Sequence, residues 1–242
     1  MTPVEHRFAD PAAQAAALAD HAAATLQAAI AARGRATLAV SGGRSPVALF
    51  EALRERPIDW ARVTLTLVDE RCVPPGHADH NGTLVSRHLR QGPAAAAAWL
   101  PWVATVDDLR DGPAALARAL AARVAALGPI DLAVLGLGED GHTASLFADA
   151  PTYEAACAPD APAVVALQPG LAPHARLSLS LPALTGCRAL AVSFAGAAKQ
   201  AAWDRARLGD AQARVETAMA RLLTRLRADP TPPTPPLTAW IA

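Results

Sequence analysis

The chain has 242 residues, of which 52% are hydrophobic and 18% are charged, so it can build one large folded domain and is not a disordered protein. Lys plus Arg and Asp plus Glu number 22 each. This balance excludes a global electrostatic attraction to nucleic acid or to an anionic membrane, and we expect partners to be small molecules that are recognised locally.

The first predicted element is a helix over residues 11–33. Asp10 is a good capping residue before Pro11, and Gly34 is a good stop. The alanine-rich stretch inside this helix is long enough to suggest a membrane span, but Asp20 and other polar residues interrupt it. We therefore expect a helix of a soluble protein.

A short buried strand over 37–40 follows, and it ends at Ser41-Gly-Gly-Arg-Ser-Pro46. Ser45 is expected to cap the next helix and Pro46 to open it, over residues 46–56. Another strand, over 63–68, then runs directly into Asp69-Glu-Arg71.

The rest of the chain continues this alternation of apolar runs and helical patterns. Helices are predicted over 81–90, 112–127, 196–207 and 211–228, and strands over 130–135, 163–167, 177–181 and 189–194. A proline-rich connector, 229–236, precedes a predicted edge strand at 237–241. The alternation predicts a single α/β domain over 1–242 with a mostly parallel sheet covered by helices on both faces.

Four polar loops each come directly after a predicted strand. They are Ser41–Gly43, Asp69–Arg71, Gly136–His142 and Gly196–Lys199. Parallel strands present their carboxyl ends at the same edge of a sheet, where ligands bind in open α/β folds. We therefore expect these loops to surround one cleft.

The glycine-rich loops are compatible with an anion site. Backbone N–H groups after Ser41 can form a concave nest for an anion, although a tight turn would also need Gly42 and Gly43. The loop is not a P-loop, because no Gly-Lys-Ser/Thr follows. The pair Gly136 and Gly138 lacks the third glycine of a dinucleotide fingerprint, so no nicotinamide cofactor is expected.

Two single residues carry chemistry. His142 stands where a strand is expected to turn into a helix, and it is the leading catalytic candidate. Lys199 is the only lysine beside 21 arginines. It is either a surface lysine at a helix start or a compact charge needed for a phosphate.

Other candidates are weaker. His77 and His80 are three residues apart, but they lie in a Pro-Pro-Gly loop without further ligand spacing, so no metal site is expected. Ser145 lacks the Gly-x-Ser-x-Gly elbow of a serine hydrolase. A hydroxyl on a helix face or a backbone cap is the expected role of Ser145.

Five segments together resemble the 6-phosphogluconolactonases. They are Ser41–Pro46, Asp69–Pro74 with Asp79 and Asn81 downstream, Gly136–Phe147, Arg176–Pro182 and Gly196–Lys199. The resemblance covers nearly the whole chain in the order of the family. It departs from the family at Ala148 and Asp149, at His80, and in a short proline-rich end of the chain.

The resemblance implies a modified Rossmann-like domain related to the sugar-phosphate isomerases and deaminases. It also implies a hydrolase of the pentose phosphate pathway that opens 6-phospho-D-glucono-1,5-lactone to 6-phospho-D-gluconate without metal or organic cofactor. A cytoplasmic location is expected separately, from the cysteine usage and the N-terminal sequence. No membrane or nucleic-acid partner is expected, and the protein is expected to be a monomer or a small homo-oligomer. Three cysteines without paired spacing indicate a reducing compartment, and no signal peptide is expected.

For this reaction we expect His142 to activate water as a general base, with Asp140 or Asp69 orienting the imidazole. Arg71 and backbone N–H groups are candidates for the oxyanion or the phosphate. The expected phosphate site consists of Ser41, Gly42, Gly43, Arg44, Ser45, Lys199 and, in addition, Arg176.

Two rival functions remain open at this point. A glucosamine-6-phosphate deaminase or similar isomerase shares the fold, but its relatives carry a glutamate shortly after the histidine block, where this chain offers Asp149 as its first carboxylate. A non-catalytic sugar-phosphate sensor could keep the anion loops while losing the base. His142 is present, and no basic helix-turn-helix segment is found.

Overall fold

The computed structural model describes residues 3–43, 45–208, 216–228 and 236–242. Its helices are α1 (Pro11–Arg33), α2 (Val47–Arg54), α3 (Asn81–His88), α4 (Gly112–Ala125), α5 (Tyr153–Cys157), α6 (Leu181–Thr185), α7 (Ala197–Leu208) and α8 (Ala218–Ala228). Its strands are β1 (Val4–Arg7), β2 (Ala36–Val40), β3 (Val63–Leu67), β4 (Asp69–Arg71), β5 (Ala98–Trp99), β6 (Leu132–Gly136), β7 (Val164–Leu167), β8 (Arg176–Leu179), β9 (Leu190–Phe194) and β10 (Leu237–Ile241).

Within the described part of the chain, seven strands form a parallel sheet in the order β1-β10-β9-β6-β2-β3-β5. All five residues of β2 are buried. Because successive side chains of a strand point to opposite faces, both faces of the sheet must be covered at β2. The predicted α/β class is confirmed.

Helix α1 has the predicted bounds, and the predicted residues, Asp10 and Gly34, cap its two ends. The Asp10 side chain accepts hydrogen bonds from the backbone N–H groups of Ala12 and Ala13, and Gly34 ends the helix in the left-handed conformation at φ 73°. Gln14 is buried and donates to the carbonyls of Phe194 and Trp240, which fixes the helix to β9 and β10. Among the described residues, no helix has both the length and the apolar character required to cross a bilayer.

The predicted elements are found with ends that differ by at most two residues, with one exception. Helix α8 begins at Ala218, and residues 211–215 of the predicted helix lie outside the described ranges. Residues 229–235 of the predicted proline-rich connector also lie outside them.

The prediction that 237–241 forms an edge strand was wrong. Strand β10 pairs with β9 on one side and with β1 on the other, both in parallel. Four of its five residues are buried, as expected for an interior strand. The edge is formed by β1, whose sequence Val-Glu-His-Arg gives no apolar run by which it could be predicted.

A second, three-stranded sheet has the order β4-β8-β7 and is antiparallel. Strands β7 and β8 of this sheet are the strands predicted over 163–167 and 177–181, so these two strands do not belong to the parallel sheet. The register places Asp69 opposite Ser178 and Arg71 opposite Arg176. This pairing brings two arginines to the carboxyl end of β3.

Candidate active site

The carboxyl ends of β2, β3, β6 and β9 open into one cleft with a volume of about 310 Å³. All four predicted polar segments line it, but Asp69–Arg71, which was predicted as a loop, is strand β4. The predicted site residues at its wall are Ser41, Gly42, Gly43, Ser45, Asp69, Arg71, His142, Arg176 and Lys199. Asp140 lines a neighbouring cavity together with His142, and Arg44 lies outside the described residues.

The loop that carries His142 does not turn into a helix, and that prediction was wrong. After β6 the chain makes tight turns, in which Gly138 donates its N–H to the carbonyl of His142 and Gly141 donates to that of Gly138. Gly141 has a φ of 83°, which interrupts any helical run. The next helix, α5, begins only at Tyr153.

His142 is held between a carboxylate and an aromatic ring. Its Nδ1 lies 2.6 Å from Oδ1 of Asp140, which also accepts the backbone N–H of His142. The Phe147 ring stacks on the imidazole, with 4.1 Å between ring centroids. Partial burial alone would raise the pKa of Asp140, but the hydrogen bond and charge of His142 outweigh burial and lower it.

The backbone at Gly138 passes directly against this pair. A Cβ atom at position 138 would overlap both the His142 ring and the Asp140 carboxylate. The glycine is therefore required by close approach, which the sequence alone does not reveal.

Asp69 has a different partner. It is buried, and its Oδ2 accepts a hydrogen bond of 2.6 Å from the Ser145 hydroxyl. The backbone N–H of Ser145 donates to the Ser178 hydroxyl on β8. The expected role of Ser145 as a helix-face hydroxyl or cap was wrong, because no helix forms there and the hydroxyl is needed to satisfy a buried carboxylate.

The glycine loop after β2 is shaped by two separate constraints. A Cβ at Gly42 would overlap the side-chain amide of Asn81, whose Nδ2 donates to the carbonyl of Asp69. Gly43 instead has a φ of 96°, in the left-handed region, and open space around it. The loop thus packs against α3 at one glycine and turns at the next.

Ser41 and Ser45 flank these glycines. The Ser41 hydroxyl accepts the N–H of Gly136 at 3.2 Å, which joins the loops after β2 and β6. The prediction that Ser45 caps the following helix was wrong. Helix α2 begins at Val47, and its N-cap residue is Pro46, without a side-chain capping hydrogen bond. Ser45 instead lines the cleft.

Of the residues that the structure describes, three with cationic side chains face the cleft. Arg176 is 5% exposed, its Nε has no hydrogen-bond partner among the described residues, and its guanidinium lies 6.0 Å from the Phe147 ring centroid. Burial and the neighbouring charge of Arg71 lower the pKa of Arg176. Arg71 donates from Nη1 to the carbonyl of Asp79 at 2.7 Å, and Lys199 lies in the first turn of α7. This concentration of positive charge favours an anionic ligand.

A buried glutamate, Glu70, fixes the backbone of two segments next to the cleft. Glu70 is fully buried and accepts the backbone N–H groups of Arg71, Asn81 and Gly82 at 2.7 to 2.8 Å. Burial raises the pKa of Glu70 to about 7, against the lowering effect of these three donors. The two bonds at the start of α3 fix Asn81, and hence the glycine loop that packs on it.

His80 is the N-cap of α3 and not half of a metal pair. Its Nδ1 accepts the backbone N–H of Thr83, so Nε2 carries the proton, and this atom lies 3.1 Å from the carbonyl of Val103. Burial lowers the pKa of His80. The ring is therefore neutral and fully used inside the fold.

No role was predicted for Asn81, Phe147 or Glu70. Asn81 and Glu70 stand within or just after the Asp-Glu-Arg segment, so their proximity to the site was visible, but their partners were not. The stacking of Phe147 on His142 depends on the turns between them, for which the sequence has no signal.

Comparison with known proteins agrees with this geometry. Residues 9–226 match the family model "Glucosamine-6-phosphate isomerases/6-phosphogluconolactonase". A 6-phosphogluconolactonase of Pseudomonas putida is 44% identical over 201 residues, which cover 81% of this chain and 80% of that protein.

Solved structures are also similar. A 6-phosphogluconolactonase from Shewanella baltica OS155 superposes with a TM-score of 0.88 at 33% identity, covering 99% of this chain and 98% of the other. A putative 6-phosphogluconolactonase from Neisseria gonorrhoeae FA 1090 superposes with a TM-score of 0.86 at 36% identity over the full length of both chains. The chain therefore belongs to the glucosamine-6-phosphate isomerase/6-phosphogluconolactonase family.

Proposed function

We propose that this protein hydrolyses 6-phospho-D-glucono-1,5-lactone to 6-phospho-D-gluconate, in the pentose phosphate pathway. The observation that carries the proposal is a single cleft that joins an imidazole paired with a carboxylate to a group of three cationic side chains. A phosphorylated lactone needs both, because its ester must be opened and its phosphate must be bound. The relatives named above bear the name of this activity.

His142 is assigned the role of general base. When Nδ1–H donates to Asp140, the Nε2 of the neutral ring keeps its lone pair and can take a proton from water. The resulting hydroxide attacks C1 of the lactone, and the C1–O ring bond then breaks. His142 returns its proton to the leaving ring oxygen, which becomes a hydroxyl group.

Asp140 is assigned as the residue that orients His142 and stabilises its cation. Of the two candidates, Asp140 is favoured by its contact with Nδ1, whereas the Oδ2 of Asp69 accepts the Ser145 hydroxyl. Arg71 is the candidate for the negative charge that develops on the former carbonyl oxygen, because its cationic side chain lines the same cleft as His142.

Lys199, Arg176 and the loop Ser41–Ser45 are assigned to the phosphate. An ammonium at the first turn of α7 and a glycine loop with free approach at Gly43 favour a dianion. Each step uses these side chains and water, and we propose no cofactor for the reaction. We further propose a cytoplasmic location, which is supported by the three cysteines Cys72, Cys157 and Cys187, all of them free.

The position of Asp149 argues against deaminase or isomerase chemistry. Its Oδ2 accepts the backbone N–H groups of Gly170 and Leu171, and the residue lines the neighbouring cavity and not the main cleft. The first carboxylate after the histidine block is therefore engaged in holding a loop outside the main cleft.

The test is acid release in weak buffer from freshly prepared 6-phosphogluconolactone, after subtraction of its spontaneous hydrolysis. The wild-type protein is expected to accelerate it, and His142→Asn is expected to lose at least about a hundredfold in kcat. Near-native turnover by His142→Asn would remove the histidine from the mechanism. Ammonia release from glucosamine 6-phosphate would support the rival function instead.

A further inference from the structure

A second group of polar side chains lies beside the cleft, on the loop before α3 and on the loop before β8. His77, Asp79 and His174 each offer one ligand atom there, and these atoms all lie within 4.8 Å of one another. The sequence separates His174 from the other two by more than 90 residues, so the histidine spacing of the first loop could not predict this cluster.

The two oxygens of the Asp79 carboxylate face different neighbours. Its Oδ1 faces Arg71 at 4.0 Å, whereas its Oδ2 faces His174 Nε2 at 3.1 Å and His77 Nδ1 at 3.9 Å. The backbone carbonyl of Asp79 accepts Arg71 Nη1 at 2.7 Å, which fixes the loop in place. One carboxylate oxygen is thus directed to both imidazoles, while Nη1 of Arg71 donates to the backbone carbonyl of Asp79.

Each imidazole can become a ligand by giving up one present hydrogen bond, that of His77 Nδ1 with the N–H of Asp79 and that of His174 Nε2 with the Asp79 carboxylate. His77 Nδ1 accepts the backbone N–H of Asp79, so this nitrogen carries a lone pair and no proton, as a metal ligand must. The three side chains keep 30% to 49% of their surface exposed, so an ion can reach them from solvent.

We propose that His77, Asp79 and His174 form a binding site for a divalent transition-metal ion of the zinc class. Two imidazoles and one carboxylate are ligands that suit Zn²⁺, whereas Mg²⁺ takes oxygen ligands. Bonds of roughly 2.0 to 2.2 Å require the ligand atoms to approach to roughly 3.4 Å, which exposed side chains reach by small rotations. Water completes the coordination.

The proposed ion would replace the hydrogen bond between His174 and Asp79 by a bridge that joins the two loops. The site does not include His142, Lys199 or any other residue assigned to lactone hydrolysis. It therefore stands independently of the proposed function, and its test does not rely on catalysis.

The test is isothermal titration calorimetry of the full chain with ZnCl2. The wild-type protein is expected to bind one zinc ion at this site, and His77→Ala and His174→Ala are each expected to weaken binding by at least about tenfold. His77 is exposed, so its replacement leaves the core untouched and keeps the test valid if His174→Ala fails to fold.

Two controls separate this site from other histidines. His88→Ala removes a partly buried imidazole that is paired with only one carboxylate, Glu51, and it should leave zinc binding unchanged. His142→Asn should also leave it unchanged, and MgCl2 should give no binding heat. Wild-type affinity in His77→Ala, or loss of zinc binding in His142→Asn, would overturn the proposal.

Discussion

Nδ1 of His142 lies 2.6 Å from Oδ1 of Asp140, only two positions away in the chain. The short spacing is possible because Gly141 adopts a φ of 83° between them and folds the imidazole back toward the carboxylate. The role of Asp140 in orienting His142 can therefore be tested by replacing its carboxylate with an amide of nearly the same shape.

Asp140→Asn is expected to lower kcat by about a hundredfold, because the amide can no longer stabilise the imidazolium. The effect should be smaller than in a fully buried triad, where such a change costs about ten thousandfold, since the Asp140 side chain is 60% exposed. Steady-state kinetics with the phosphorylated lactone measures this change in kcat. Glu139→Gln removes a neighbouring exposed carboxylate and should retain the wild-type kcat; equal losses in both variants would count against a specific role for Asp140.

Lys199→Ala is expected to lower kcat/KM for 6-phosphogluconolactone by about ten- to a hundredfold, since a charge-assisted hydrogen bond contributes about 1.5 to 3 kcal/mol. Hydrolysis of unphosphorylated gluconolactone should be almost unchanged, because that substrate has no anion to bind. The ratio of kcat/KM for the two substrates is the informative quantity. If Lys199→Ala lowers both equally, the phosphate assignment is wrong.

Gly42→Ala is expected to destabilise the protein by about 1 to 3 kcal/mol, because the new methyl group overlaps the amide of Asn81. Combining it with Asn81→Ala removes the overlapping group, so the double variant should be less destabilised than the sum of the single changes. Urea unfolding of the four proteins measures this coupling.

Gly43→Ala is the matched control for that cycle. It meets open space but carries a φ of 96°, so it should cost about 1 to 2 kcal/mol through backbone strain alone. Asn81→Ala should not relieve this cost. Coupling between Gly43 and Asn81 as large as that between Gly42 and Asn81 would contradict the packing explanation.

His80→Ser is expected to change the pH dependence of stability. The pKa of His80 is lowered below 6.5 in the folded protein, so the unfolded chain takes up the proton first as the pH falls. The contribution of neutral His80 is therefore present above about pH 6.5 and lost below it. Serine can still accept the N–H of Thr83 as an N-cap, but it does not titrate.

The free energy of unfolding should be compared for the two proteins at about pH 7.5 and about pH 5.5. The wild-type protein should lose more stability than His80→Ser between these values. An identical loss in both would show that His80 does not titrate in this range.

The convergence of the four loops could be predicted because it follows from topology. Parallel neighbouring strands place Gly42, Arg71, His142 and Lys199 at one edge, whatever the details of packing. The buried strand β2 and the capped helix α1 were also visible as local patterns, in an apolar run and in the Asp-Pro and Gly signals at the helix ends.

The parts that were missed depend on contacts between distant segments. Strand β4 has only three residues, all charged, and it exists because β8 pairs with it. The interior position of β10 depends on β1, whose polar residues give no strand pattern. The pairing of Ser145 with Asp69 likewise depends on turns that replace the expected helix.

The most direct test of the account is a crystal structure of the protein with bound 6-phosphogluconate. We expect a phosphate oxygen within about 3.2 Å of Lys199 Nζ and the C1 carboxylate beside the imidazole of His142. A product molecule bound in the opposite direction, or bound outside the cleft between these two residues, would contradict the account.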